Sequence, residues 1–238
     1  MYNVNYLSKK ERSTTMAEVW DLYSRNREII GKIKKGIEMP PGTYHLVVEC
    51  VIVDLEKQLL LTKRAPGKHH AGYWECTTGS VISGEDSLTG VMREVREETG
   101  LIIPERNFRR LCTKTGDHVI RDIYYVVYQK LNLSKVQSQG GETCDAMLIP
   151  FDFFDAFTSN EGVSPDGKPM AFMPGQFGRL KEIFGKIEER VDKLNGIAEK
   201  KIQEAEFEAT SSFEIEKATA PKPKKENSKS VEFEEVEL

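Results

Sequence analysis

The segment GSVISGEDSLTGVMREVREETGL, residues 79–101, places Glu94, Glu97 and Glu98 at i, i+3 and i+4. On a helix that spacing puts three carboxylates on one face, about one turn apart. Leu88, Val91 and Val95 fall on a different face, which can pack on a sheet. Ser83 and Gly84 suit a helix start, Glu85 and Asp86 suit its positive end, and Gly100 suits a left-handed cap at the other end. Repulsion among the three glutamates costs an isolated helix roughly a few tenths of a kcal/mol per pair. The spacing therefore fits two arrangements. One is a solvated acidic face laced with ion pairs. The other is a site where a hard divalent cation, magnesium or manganese, turns the repulsion into binding. Arg93 reaches Glu97 one turn on or folds back toward Glu85.

The remainder of the 238 residues limits the classes of function. The formal charge is −4, and the basic residues gather into no single stripe, so no nucleic-acid polymer is expected as a partner. Cys50, Cys76, Cys112 and Cys144 form no CxxC pair, and two of them sit in alternating apolar runs. That usage points to a reducing compartment without disulfides. The first residues lack an apolar signal core, and no apolar run approaches membrane-spanning length. A cytoplasmic protein with no membrane partner is expected.

Residues 1–15 are polar and patternless and read as a flexible extension. A domain over residues 16–203 follows, opening with a hairpin in which VWDLY and EIIGK flank SRNR. TYHLVVECVIVDLEKQLLLTKRA reads as two strands around a turn near Asp54 to Lys57, and HVIRDIYYVVYQKLNL as a long strand. AMLIPF is a further strand. Phe177, Leu180, Phe184, Ile187, Val191 and Leu194 recur at helical spacing, as a core or dimer-contact helix would. Residues 204–238 turn to Glu, Lys, Ser and Pro and read as a disordered charged tail. The order of elements predicts one α+β or α/β sandwich with a mixed sheet.

Gly79, Glu85, Arg93, Glu94, Val95, Glu97, Glu98, Gly100 and Leu101 fill every fixed position of a known signature. The segment resembles that of the Nudix hydrolases. The resemblance implies an α/β/α sandwich over roughly residues 44–157, with the signature as a loop–helix–loop. It implies hydrolysis of a nucleoside diphosphate linked to another moiety, with Mg²⁺ or Mn²⁺ bound by Glu94, Glu97, Glu98 and the Gly79 carbonyl. Arg93 and Glu85 would orient the glutamates. The general base would be a signature glutamate, Glu97 or Glu98, or Glu142 in a later loop, where an ordinary exposed acid is the alternative. Two departures stand out: Thr77 and Thr78 precede Gly79, and Gly90 lies inside the helix at a cost of about 1 kcal/mol relative to alanine.

Substrate contacts are expected from Arg64, Lys68 and Trp74, each with a plainer alternative: solvated strand-end or loop charge for the first two, core packing for the tryptophan. Lys63, His69 and His70 lie beside them, and adjacent histidines seldom chelate one ion. The hairpin and first strands also resemble proteins related to isopentenyl-diphosphate isomerase. That reaction needs a cysteine where Gly79 stands; Cys76 comes three residues early. Hydrolysis is the expected activity over isomerisation, and over a non-catalytic nucleotide sensor.

Overall fold

A computed structural model describes residues 18–137, 141–153, 171–173 and 175–219. The extension at 1–15 and the last part of the expected tail lie outside the described residues. Strands β1 (Val19–Tyr23) and β2 (Ile29–Lys34) form the antiparallel hairpin read from the sequence. The main sheet contains β3 (His45–Asp54), β4 (Gln58–Arg64), β5 (Trp74–Glu75), β6 (Thr77–Ser80), β7 (Arg109–Gly116), β8 (Val119–Tyr128) and β9 (Thr143–Pro150). Helix α1 is Ser87–Thr99 and α2 is Gln176–Thr219. The strand order is β5-β4-β3-β8-β7, with β3 and β8 parallel and the other pairs antiparallel, so the sheet is mixed.

The edge of β3 away from β8 is divided between two partners. At one end Val53 pairs with Leu59 of β4; at the other, Val47 to Cys50 pair with β6. The sheet therefore splays, and β6 lies at the opening. Alternation along β3 builds two cores. Leu46, Val48, Cys50 and Ile52 share a cluster with Val91 and Val95 of α1. Val51 and Val53 share another with Phe177, Leu180, Ile183, Phe184, Ile187 and Val191 of α2. This part of α2 is thus core. The helix continues beyond the apolar stripe to Thr219, into the start of the segment expected to be a disordered tail. The chain divides into two compact units, Met1–Lys193 and Leu194–Leu238. Among the described residues no helix is long and apolar enough to cross a membrane.

Helix α1 starts three residues later than Ser83 and Gly84 suggested. Asp86 is its cap, accepting from the Thr89 N–H at 2.7 Å, and Gly84 (φ 90°) belongs to the preceding turn. Gly100 caps the other end at φ 71°. Gly90 has a packing reason: a Cβ there would lie 2.8 Å from Cγ2 of buried Val81. The loss of helix propensity is the cost of seating α1 close to the sheet.

The hairpin holds the turn before α1. Buried Asp21 accepts from Ser83 Oγ at 2.7 Å and from Gly84 N–H at 3.0 Å. At the hairpin tip Arg27 donates to both oxygens of Asp122 on β8, and Ser87 in the first turn of α1 donates to the same carboxylate. Burial alone would raise the Asp122 carboxyl; hydrogen bonds from Arg27, Ser87 and Thr113 outweigh it and hold it below the usual carboxylate range.

Two outcomes follow. Gly90→Ala should destabilise by about 1–2 kcal/mol despite better propensity, because overpacking exceeds the helix gain. Adding Val81→Ala should recover part of that loss, so additive losses in a thermal double-mutant cycle would contradict the packing account. Asp122→Asn should cost about 3 kcal/mol at neutral pH. A lowered native pKa stabilises above the ordinary carboxylate value and is lost as pH falls through the lowered one. The melting difference between wild type and variant should therefore shrink below about pH 4.

Candidate active site

Gly79 is required by close approach, since its φ is not positive. It pairs with Val48 in the β6–β3 ladder, and a Cβ on it would sit 2.0 Å from Cδ of Glu94. The backbone of β6 and the Glu94 carboxylate thus share a space that only glycine leaves open. Thr78, one of the two departures before Gly79, turns its hydroxyl away from Glu94, donating to the Val48 carbonyl at 3.1 Å.

Arg93 realises both of the arrangements open to it. Nε and Nη2 donate to the two oxygens of Glu85 at 2.8 and 3.0 Å, and Nη2 also donates to the Ser80 carbonyl at 2.9 Å. Nη1 donates to Glu94 at 2.8 Å and to Glu97 at 3.2 Å. These contacts engage all five N–H donors of a guanidinium. Glu85 is fixed in turn by the Ile82 N–H at 3.2 Å. Arg93 thus ties the loop, the strand and the acidic face together, and it offsets the mutual repulsion of the glutamates. With Glu94 and Glu97 drawn to it, no group of three His, Cys, Asp or Glu side chains among the described residues stands converged on one point.

Glu98 is buried at 4% exposure, and its Oε2 has no hydrogen-bond partner. Burial, then the charges of Glu75 and Glu94, push its carboxyl well up. Glu75 on β5 is wholly buried, with an equally unpartnered Oε2; burial pushes it up to about 7, against the pull of Arg64. Burial also raises Glu94, against Arg93. Buried carboxylates with orphaned oxygens are costly unless something positive meets them. Glu94, Glu97 and Glu98, the last with an unpartnered oxygen, and the space kept at Gly79 supply the oxygen donors that suit a hard divalent cation.

Gly79, Arg93, Glu94, Glu97 and Glu98 line a cleft of about 870 Å³ with Arg64, Lys68 and Glu142. Glu85 stands behind Arg93 and is not on this lining. Arg64 donates to Glu75 at 2.5 Å and to the His69 carbonyl at 2.7 Å. Lys68 is ion-paired with Glu142, both partly exposed. Trp74 is elsewhere: at 6% exposure it packs in the α2-side core, with Lys63 5.5 Å from its ring, so the ring is spent on packing. Sequence reasoning passed over Glu49, Glu75, Arg121 and Arg179. For Glu49 a signal existed, a charge inside the apolar run HLVVECVIV, whereas Glu75 lies on a two-residue strand that no run marks. For Arg179 no local pattern marks it.

This fold and this carboxylate face define a known class. The NUDIX domain family matches residues 43–167. Uncharacterized Nudix hydrolase lmo0368 of Listeria monocytogenes is 32% identical over 146 residues, 60% of this chain and 86% of the relative. The chain belongs to the Nudix family and is a Nudix hydrolase. An isopentenyl-diphosphate Delta-isomerase of Streptomyces avermitilis is 33% identical over 91 residues, 37% of this chain and 46% of the relative. The crystal structure of DR0079 from Deinococcus radiodurans shares the fold, with a TM-score of 0.56 at 16% identity, covering 70% of this chain and 99% of that one.

Gly79→Ala should displace the Glu94 carboxylate while leaving β6 in its ladder. Titration of Mn²⁺ should show affinity weakened by about 10- to 100-fold, as loss of a supporting contact does. Unchanged affinity would detach Gly79 from the ion.

Proposed function

We propose that the protein carries out metal-dependent hydrolysis of a diphosphate linkage in a substrate of the nucleoside-diphosphate-X type. The observation that carries this reading is the buried, unpartnered Glu98 oxygen beside the Gly79–Glu94 approach. Glu94, Glu97, Glu98 and the Gly79 carbonyl would hold Mg²⁺ or Mn²⁺. Such an ion supplies neutralisation of diphosphate charge and a lowered pKa for water. Arg93 and Glu85 keep the glutamates in register. Arg64 and Lys68 meet substrate phosphate. Glu142 takes the proton once substrate draws Lys68 away from it, with Glu97 as the other candidate. The four free thiols support a reducing, cytoplasmic setting.

Isomerisation is the second reading, and Cys76 argues against it. Its thiol is buried at 1% exposure and pushed well up by that burial. Its backbone is clasped by Gln176, which accepts from the Cys76 N–H at 2.8 Å and donates to its carbonyl at 2.9 Å. A proton-transfer group cannot work from there.

Glu97→Gln should lower phosphate release from a panel of dinucleotides and nucleotide sugars by about 10²- to 10⁴-fold, with little change in melting temperature. An unaffected rate would remove Glu97 from the chemistry. Proton NMR of isopentenyl diphosphate should show no dimethylallyl isomer; conversion would favour the isomerase. Tight nucleotide binding with no release from any compound would favour a sensor.

A further inference from the structure

Most cations on the cleft have a carboxylate of their own. Arg93 is met by Glu85, Glu94 and Glu97, Arg64 by Glu75, Lys68 by Glu142 and Lys35 by Glu18. Arg121 on β8 and Arg179 on α2 are the exceptions among the described residues. Both donate to one oxygen, Oε2 of Glu49, at 3.3 and 3.0 Å. Glu49 is wholly buried, whereas the arginine side chains keep 19% and 29% of their surface. Two guanidinium groups on one carboxylate leave a positive charge uncompensated in the cleft wall. Arg179 Nε is buried without a partner. Burial, with Arg179 adding to it, holds Arg121 below its ordinary value in spite of Glu49. A partly desolvated cation short of negative partners is stabilised by any anion that reaches it.

The position separates this pair from the glutamates. Glu49 pairs with Thr78 in the ladder where Val48 pairs with Gly79. Adjacent strand residues face opposite ways, so Gly79 looks toward Glu94 and α1, while Glu49 looks toward α2. Arg121 also donates to Thr78 Oγ1 at 3.3 Å, on that second side. The two charge centres flank the β6 edge, and the same cleft reaches both. A diphosphate held on the acidic side leaves the arginine side for a different part of the substrate.

We propose that Arg121 and Arg179 recognise a phosphoryl group other than the diphosphate being cleaved, so that the preferred substrate carries an additional phosphate. Two planar forks with unused N–H donors match the several oxygens of a phosphoryl group. The assignment of the cleaved bond rests on the hydrolase reading above; the binding preference does not.

Matched pairs differing by one phosphate provide the test: coenzyme A against dephospho-coenzyme A, and NADPH against NADH. Affinities are measured calorimetrically with magnesium in the Glu97→Gln protein, and turnover of the same pairs in wild type. The phosphorylated member should bind at least about tenfold more tightly, the size of one charge-assisted hydrogen bond. Adding Arg121→Gln or Arg179→Gln should collapse that ratio toward one, with folding checked by melting temperature. Because each variant leaves Glu49 one arginine, one of the two remaining folded suffices. Equal affinities within both pairs, or a ratio that survives both substitutions, would overturn the proposal. Preference without turnover of any compound would keep the arginine site and overturn the hydrolase reading; turnover without preference would do the reverse.

Discussion

The constraint on which this molecule turns is the crowding of carboxylates around one guanidinium. Glu85, Glu94 and Glu97 all meet Arg93, and its remaining donor meets the Ser80 carbonyl. Without that cation the acidic face of α1 would repel both itself and the strand it packs on. With it, loop, strand and helix are cross-linked through one side chain whose charge does not titrate away. Glu98 is not part of this arrangement, and its buried oxygen stays unmatched. A site built this way leaves a buried carboxylate oxygen uncompensated while the face around it stays folded.

Local pattern reported the parts of this site that local geometry decides. The i, i+3, i+4 glutamates, the Gly100 cap and the apolar face of α1 all follow from helix periodicity, and all stand where spacing placed them. Gly90 was legible only as a penalty, because its cause, Val81, comes from the loop before the helix packing across it. Trp74 was ambiguous since an aromatic beside a site can stack or pack, and only the three-dimensional neighbours decide. The α2 stripe fades near Leu194 while the helix runs to Thr219; apolar period marks the buried part, and the Glu, Lys and Ala that follow sustain a helix by propensity. Arg121 and Arg179 are 58 positions apart on different elements, and their meeting at Glu49 is a property of topology alone.

The divided edge of β3 explains why so many charges can coexist within a small fold. A continuous sheet would bury Glu49 and Glu75 with no exit. Because β4 takes one end of β3 and β6 the other, the sheet opens where these residues sit. Each of the two faces then carries its own charge balance, acidic toward α1 and basic toward α2. Separating the two across a strand keeps the arginines from neutralising the glutamates.

That separation needs β6 and the start of α1 to be held firmly, and the sheet alone does not hold them. β6 is short and, among the described residues, pairs only with β3. The turn that follows it is secured from outside, by Asp21 on Ser83 and Gly84 and by the Val19 carbonyl on the Ser83 N–H. Arg27 and Ser87 meet on Asp122, locking the hairpin tip and the first turn of α1 to β8. Glu85 lies between these two anchors, and through it so does the placement of Arg93. Positioning errors of about 1 Å are enough to cost a catalyst orders of magnitude. The hairpin is therefore best understood as the outer brace of the acidic site, acting on chemistry that most of its residues never touch.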